Sequence, residues 1–465
     1  MMDDILAEKC GIFGVCSKDV DEAARLVYVG LWALQHRGQE SSGITSTDGK
    51  TLLTYKASGL VAQVFSEEHL QILKGRMAIG HNRYSTSGGS DDAHNQPVVR
   101  KDNHIALAHN GNLASVVKLE EFFREKKVDV SGYNDTELMH EALRYYYLKG
   151  DTIEQAMKRV FPLCTGVFSM LILTHDKMVA VRDEYGIRPL SIAKIEGGHV
   201  VSSETCAFPT IGAFYLRDVH PGEMVVFYKD KMKSYHLAKP KQKLDVFEFV
   251  YFARPDSMLL GQSVNEVRKN LGRNLAKEYK IKADVVVPVP DSAIPAALGY
   301  SEVSGIPFDH GFIKNRYIHR TFIRPVQHQR ERDAQMKLNP LPSVLKGKRV
   351  IVIDDSIVRG TTSRKLVSLL RRAGAKKVYM LISSPPIKFP DFYGIDTPLQ
   401  KDLIASHMSV EQIKKFMGAD GLYFLSYKGL IRATGVPENK LSTSLFTGTY
   451  PVDILERKKE VSFDI

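Results

Sequence analysis

Two domains of different class, a mixed α+β half followed by an α/β half on a parallel sheet, are predicted by three observations. Residues 10 to about 236 run as short strand-like stretches between Gly, Asn and Asp turns, with two helical stretches among them. Beyond residue 245, continuous Val/Ile runs are followed by helical stretches: ADVVVPVP then a helix, KRVIVIDD then SRKLVSLLRRAGA, then KKVYMLIS. Apolar strands alternating with helices indicate a parallel sheet covered on both faces. Between these patterns lies LAKPKQKLD, Leu237 to Asp245, polar and basic with one proline, the composition of an exposed linker.

In the first half, Leu119 to Lys126 and Thr136 to Leu148 are the expected helices, the second opening beside Asn134 and Asp135, which suit a helix N-terminus. The boundaries follow: a leader at 1–9, a first domain at 10–236, a linker at 237–244, and a second domain with a C-terminal extension at 245–465. Of the 465 residues, 43% are hydrophobic and 25% charged, the balance of an ordinary globular protein. Met1 to Lys9 has neither a basic nor an apolar region, so it is no secretory signal, and a cytoplasmic location is expected. Four cysteines, at 10, 16, 164 and 206, form no C-x-x-C pair and suit neither a disulfide framework nor a metal cage.

The formal charge of +11 admits nucleic acid, an anionic membrane or small anionic substrates. No aromatic-basic RNA motif or helix-turn-helix signature accompanies it, so neither nucleic acid nor membrane is expected as a partner. The densest basic run, Lys314 to Lys337, sets seven Lys/Arg against Glu331 and Asp333.

RVIVIDDSIVRGTTSRKL, Arg349 to Leu366, is the most informative stretch. A buried strand ends in Asp354 and Asp355, and a small-residue loop then opens a helix. Ligands of open parallel sheets bind beyond the carboxyl ends of the strands, and a helix N-terminus is an anion site. Gly360, Thr361, Thr362 and Ser363 are thereby placed to wrap a phosphate. Asp354 and Asp355 can accept from sugar hydroxyls or help hold Mg²⁺. These eighteen residues resemble the phosphoribosyl pyrophosphate signature of type I phosphoribosyltransferases, which also brings Arg359 into the site. The turn in VVVPVPDSA is the place that family uses for pyrophosphate, with Ser292 beside the metal. KNRYIHRTFIRP supplies Lys314 and Arg320 to neutralise the leaving pyrophosphate.

A cysteine is a nucleophile only as thiolate, and thus needs a base or a positive field nearby. Were residues 1–9 removed, the freed α-amine of Cys10 would be that base. Behind CGIFGV come LQHRGQESSG with Arg37, GHNRYSTSG with Arg83 and Thr86, AHNGNL with Asn110 and Gly111, and NDTE with Asp135. In this order they resemble the glutaminase domain of the N-terminal-nucleophile amidotransferases, an αββα sandwich. The resemblance implies a propeptide and a nucleophilic Cys10. It also implies an oxyanion hole from Asn110 and Gly111, and a glutamine site of Arg83, Asp135, Thr86 and Arg37.

Joined in one chain, the halves resemble the amidophosphoribosyltransferase family, which YFARPDS and FYGIDTP reinforce. That implies ammonia passing from glutamine to phosphoribosyl pyrophosphate, the opening step of purine synthesis. Further implications are an enclosed channel lined by Tyr317 and Ile323, Mg²⁺, purine nucleotide inhibitors and a homodimer or homotetramer. Where one branch of the family carries iron–sulfur cysteines stand Asp245, Asp391, Ser442 and Leu445, so no cluster is expected. His319, Ala334 and Gln335 depart from the family's pattern in the basic loop. A regulator that binds phosphoribosyl pyrophosphate without turnover is the competing reading, opposed by Cys10, Arg83, Asn110 and Asp135.

Overall fold

A computed structural model of the chain describes residues 10–18, 22–84, 94–315, 338–394, 397 and 399–462. Two antiparallel sheets face each other in the first half. One has seven strands in the spatial order Phe214–Asp218, Ser191–Ile195, Gly198–Ser202, Gly11–Ser17, Met77–Arg83, Ser41–Thr47, Leu52–Ser58. The other has six, ordered Lys231–His236, Glu223–Tyr228, Met178–Arg182, Thr165–Leu173, Ala106–Ser115, Val98–Val99. Alternation along each strand makes the layers. From the Gly11–Ser17 strand, Ile12 and Cys16 pack inward with Leu171 and Val225 of the other sheet, while Phe13 and Val15 pack outward under the helix Ala23–Ala33. The outer face of the six-stranded sheet is covered by Val117–Lys126, Asp135–Leu148 and Ile153–Val160, giving the αββα order.

Two of these helices answer the sequence reading, and Asn134 caps the second by accepting from the Glu137 N–H. Ala23–Ala33 and Ile153–Val160 are further helices, beyond the two stretches that the sequence pattern predicts. The first, AARLVYVGLWA, mixes β-branched residues and a glycine, which are poor helix formers. Burial of Ala24, Val27 and Leu31 against the sheet overrides that propensity.

Four parallel strands, Val285–Pro288, Arg349–Asp354, Lys377–Ile382 and Gly421–Phe424, lie in that order in the second half. Val286, Ile351, Ile353 and Leu381 pack on one face with the helices Val264–Glu278 and Ile294–Ser304. Val285, Val287, Val350, Val352 and Met380 pack on the other with Thr361–Arg372 and Val410–Met417. Burial on both faces explains why these strands read as unbroken Val/Ile runs.

The stretch between the halves is exposed only at Lys239, Pro240 and Lys241; Leu237, Ala238, Gln242 and Lys243 are half-buried, and Leu244 is buried in a short strand, Leu244–Asp245, because it packs in the apolar core of the second half. Lys241 and Lys243 donate backbone N–H bonds to the Glu184 and Tyr185 carbonyls at 2.8 and 2.7 Å, tying it to the first half. An apolar cluster joins Val167 and Ile187 to Phe389, Phe392, Tyr393, Val452 and Ile454 across the two halves. Among the described residues no helix is long and apolar enough to cross a membrane.

Candidate active sites

Cys10 stands at the mouth of the strand Gly11–Ser17, with a positive φ of 23°. Its neighbours follow from strand register. Gly11 pairs with Asn82 at the end of an antiparallel ladder, and Arg83 follows Asn82 at the end of its strand, where it pairs with Ser41. Just past Cys10, the Ile12 N–H donates to Ser203 Oγ at 3.0 Å, and the Asn110 amide Nδ2 reaches the same oxygen at 3.5 Å. Ser203 therefore ties the Asn110 strand of one sheet to the Cys10 strand of the other. Asn110 is fully buried and its Oδ1 has no partner among the described residues, so the amide is lightly held. Gly111 follows with φ 153°, where a Cβ would lie 2.1 Å from the Val167 carbonyl oxygen. Only glycine fits that approach.

Asp135 opens the helix Asp135–Leu148 and accepts from the Leu113 N–H at 3.1 Å and the Thr136 N–H at 2.7 Å, which fixes it near the Asn110–Gly111 strand. Arg83 Nη1 donates to Asn95 Oδ1 over 3.5 Å. Thr86 lies outside the described residues, as does the leader 1–9. The remaining thiols are unsuited to attack. Burial pushes Cys16 and Cys164 up to about 12 and raises Cys206 further, so all three stay neutral.

Arg37 is fully buried and its Nε donates to the Cys10 carbonyl at 3.3 Å. Glu204 accepts from its Nη1 at 2.5 Å, and Glu248 takes Nη1 and Nη2 at 3.0 and 2.8 Å. Burial alone would raise the Glu204 carboxyl, but the charges of His36 and Arg37 hold it well below the ordinary value. Glu248 also meets Arg188 at 3.2 Å, and Arg188 reaches Asp245 at 3.4 Å and Asp391 at 4.0 Å. Asp245 is pushed up to about 7 by burial, with Arg188 opposing. Two of the positions compared with iron–sulfur cysteines thus face one guanidinium. Ser442 pairs with Asp245 in a short parallel ladder, and Leu445 lies buried nearby in sequence, its carbonyl accepting from the Lys388 and Phe389 N–H groups.

Glu204, Glu248 and Arg188 did not emerge from the sequence reading. A signal existed for Glu248, an acid inside the apolar run VFEFV. A charge in such a run needs a buried partner.

In the second half, Asp354 ends its strand and Asp355 follows, both buried. Ser292 Oγ donates to Asp355 Oδ1 at 2.6 Å and Ser356 Oγ to Oδ2 at 2.8 Å. Burial, then the charge of Asp355, raises Asp354 well above an ordinary aspartate, and burial raises Asp355 too. Two carboxylates in that state favour a cation or hydroxyl donors nearby. Lys314 Nζ donates to Asp291 Oδ2 at 2.6 Å, next to Ser292, which brings Lys314 to the edge of the same site. Gly360, with φ 78°, starts the helix Thr361–Arg372 without a side-chain cap, and Ser363 is buried in its first turn. Arg359 lies 3.9 Å from Asp402. Arg320, Tyr317, Ile323, His319, Ala334 and Gln335 fall outside the described residues.

Among the described residues no three His, Cys, Asp or Glu side chains converge to hold a metal. A divalent ion at Asp354 and Asp355 would need oxygens from a bound substrate, the usual situation for Mg²⁺ with phosphates.

Residues 81–210 match the glutamine amidotransferase domain family and residues 258–385 the phosphoribosyl transferase domain family. The amidophosphoribosyltransferase of Synechococcus elongatus is 46% identical over 97% of this chain and 93% of its own length. That of Bacillus subtilis is 45% identical over 97% of this chain and 96% of its own. The solved structure of the B. subtilis glutamine phosphoribosylpyrophosphate amidotransferase complexed with ADP and GMP superposes with a TM-score of 0.89. It is 44% identical and covers 96% of this chain and 98% of that one.

Proposed function

The chain belongs to the amidophosphoribosyltransferases, and from that membership we propose which of its residues carry the reaction. It transfers ammonia from glutamine to C1 of 5-phosphoribosyl 1-pyrophosphate, giving 5-phosphoribosylamine, glutamate and pyrophosphate in the first step of purine biosynthesis. The division into 1–9, 10–236, 237–244 and 245–465 assigns one chemical step to each large part. Removal of Met1 to Lys9 exposes the Cys10 α-amine as the base for its own thiol. The sulfur attacks the glutamine amide carbon, and Asn110 Nδ2 with the Gly111 N–H receives the developing oxyanion. Arg83 grips the substrate α-carboxylate with its fork, Asp135 holds the α-ammonium, and Thr86 completes that pocket. Arg37 orders the nucleophile's surroundings.

In the second site, Arg359, Gly360, Thr361, Thr362 and Ser363 wrap a substrate phosphate, with backbone N–H groups at the helix start as donors. Asp354 and Asp355 accept from the ribose hydroxyls. With Ser292 nearby, they would hold Mg²⁺ jointly with the substrate's oxygens; such an ion neutralises pyrophosphate charge. Lys314 and Arg320 add positive charge to the leaving group. Water would protonate ammonia in transit, so Tyr317 and Ile323 line an enclosed path. No iron–sulfur cluster takes part. Purine nucleotides, such as the ADP and GMP named for the B. subtilis enzyme, occupy the phosphate cradle as inhibitors. The enzyme works in the cytoplasm as a homodimer or homotetramer, without nucleic acid or membrane.

One observation supports the nucleophile's assignment most strongly. Asn110 and the strand leaving Cys10 share Ser203 as hydrogen-bond partner, and Asn82, the residue before Arg83, pairs with Gly11. The test supplies glutamine, phosphoribosyl pyrophosphate and Mg²⁺ and follows glutamate and pyrophosphate together. Equal release of both is expected, whereas glutamate without any pyrophosphate contradicts the coupled reaction.

A further inference from the structure

We propose that Glu248, which lies with the phosphate-binding half, is a positioning residue for the cysteine chemistry of the other half, acting through Arg37. The proposal rests on Cys10 being the nucleophile. Arg37 closes the turn Gln35–Arg37 behind the helix Ala23–Ala33 and carries one contact to the reaction centre, its Nε–H to the Cys10 carbonyl. With residues 1–9 removed, Cys10 is tethered to the chain on one side alone, so a donor to its carbonyl can set its orientation.

The direction of the Arg37 Nε–H is set by the plane of its guanidinium. Glu248 fixes that plane by accepting from both terminal nitrogens, and a bidentate carboxylate restrains orientation as well as position. Glu204 is a poorer substitute because its two oxygens also serve His36, the Arg254 N–H and the Ser257 hydroxyl. Glu248 begins a π-helical turn, Glu248–Phe252, and its second cation is Arg188, whose Nε donates to the Tyr393 carbonyl. The carboxylate thus reaches from the second half onto two arginines of the first: Arg188, itself tied to the Tyr393 carbonyl, and Arg37, which touches Cys10. Neither Glu248 nor Arg188 has a place in the reaction assigned above.

The experiment compares the parent with Glu248→Gln, which keeps shape but loses the charge and one acceptor. The first readout is the rate at which a diazoketone analogue of glutamine alkylates the protein, with the modified residue located by mass spectrometry. The second separates kcat from KM for glutamine, and the third is ammonia-dependent phosphoribosylamine synthesis. Glu248→Gln is expected to slow alkylation and lower glutaminase kcat by about tenfold or more, with KM and ammonia-dependent synthesis within about threefold. In an Arg37→Ala background the same change should have no further effect on alkylation, since both act through one contact. An alkylation rate within about twofold of the parent, or full additivity with Arg37→Ala, overturns the proposal. If the parent is labelled elsewhere than Cys10, the assignment of the nucleophile falls, and the proposal with it. Should Glu248→Gln also lose ammonia-dependent synthesis, Glu248→Asp decides. Recovery of alkylation toward the parent rate is expected, and alkylation as slow as in Glu248→Gln, with ammonia-dependent synthesis restored, overturns the role.

Discussion

Replacing Gly111 by alanine tests the oxyanion assignment with a single methyl group. Built on the present backbone, the new Cβ falls 2.1 Å from the Val167 carbonyl oxygen and 2.9 Å from His109 Nε2. An ordinary contact to that oxygen needs roughly 1 Å more, and Val167 cannot move freely because it is fully buried and the next residue, Phe168, is hydrogen-bonded to Asp183. The Gly111 segment must yield, and it takes the donor N–H with it. Misplacing a catalytic group by about 1 Å costs on the order of 10²-fold, or about 2.7 kcal/mol of transition-state stabilisation. Gly111→Ala should therefore lower glutaminase kcat about a hundredfold, with KM for glutamine changed only a few-fold because Arg83 and Asp135 are untouched. Glutamate release and ammonia-dependent phosphoribosylamine synthesis would be measured on the same preparation, the second serving as the control for folding. A kcat within about threefold of the parent refutes the role given to this backbone donor.

Asp354 titrates above an ordinary aspartate because of burial and then Asp355, so the folded state binds the proton more tightly than the unfolded state. That contribution to stability is present below the ordinary aspartate pKa and is lost as pH rises through the raised folded value. Asp354→Asn should accordingly raise Tm more at about pH 8 than at about pH 4 while abolishing phosphoribosyl pyrophosphate use; equal shifts at both would contradict the linkage. Chelation of divalent ions with EDTA should stop pyrophosphate release while leaving alkylation of Cys10 unchanged, and parallel loss of both would place the metal elsewhere. Gly272→Ala sets a Cβ 1.8 Å from the Ala296 carbonyl, where the helices Val264–Glu278 and Ile294–Ser304 cross. It should cost about 1–3 kcal/mol or more in denaturant unfolding, and an unchanged midpoint would mean that the crossing is looser than described.

The residues proposed to touch substrates come from the sequence because each sits in a short motif whose order carries the chemistry. Strand, two aspartates, glycine and helix are the sequence pattern of an anion site, and burial on both faces gives the unbroken Val/Ile runs. The helix Ala23–Ala33 was not legible, since its valines and glycine speak against a helix and its stability comes from the sheet beneath it. The residues behind the nucleophile were hidden for a different reason. Arg37 and Glu204 stand 167 positions apart, and Arg37 and Glu248 stand 211 apart. The first contact forms within one half and the second only when the halves pack, so beyond the lone acid in VFEFV no local pattern announces either.

Cys10→Ala, assayed with glutamine and then with high ammonia, tests the two-site assignment most directly. Glutamine-dependent synthesis should fall at least about a thousandfold, because the variant has no thiolate to form the acyl intermediate. Synthesis from ammonia should remain within about threefold of the parent, because Asp354, Asp355 and the Gly360 helix are untouched. Retention of glutamine-dependent synthesis, or loss of both activities in a folded protein, would contradict the assignment.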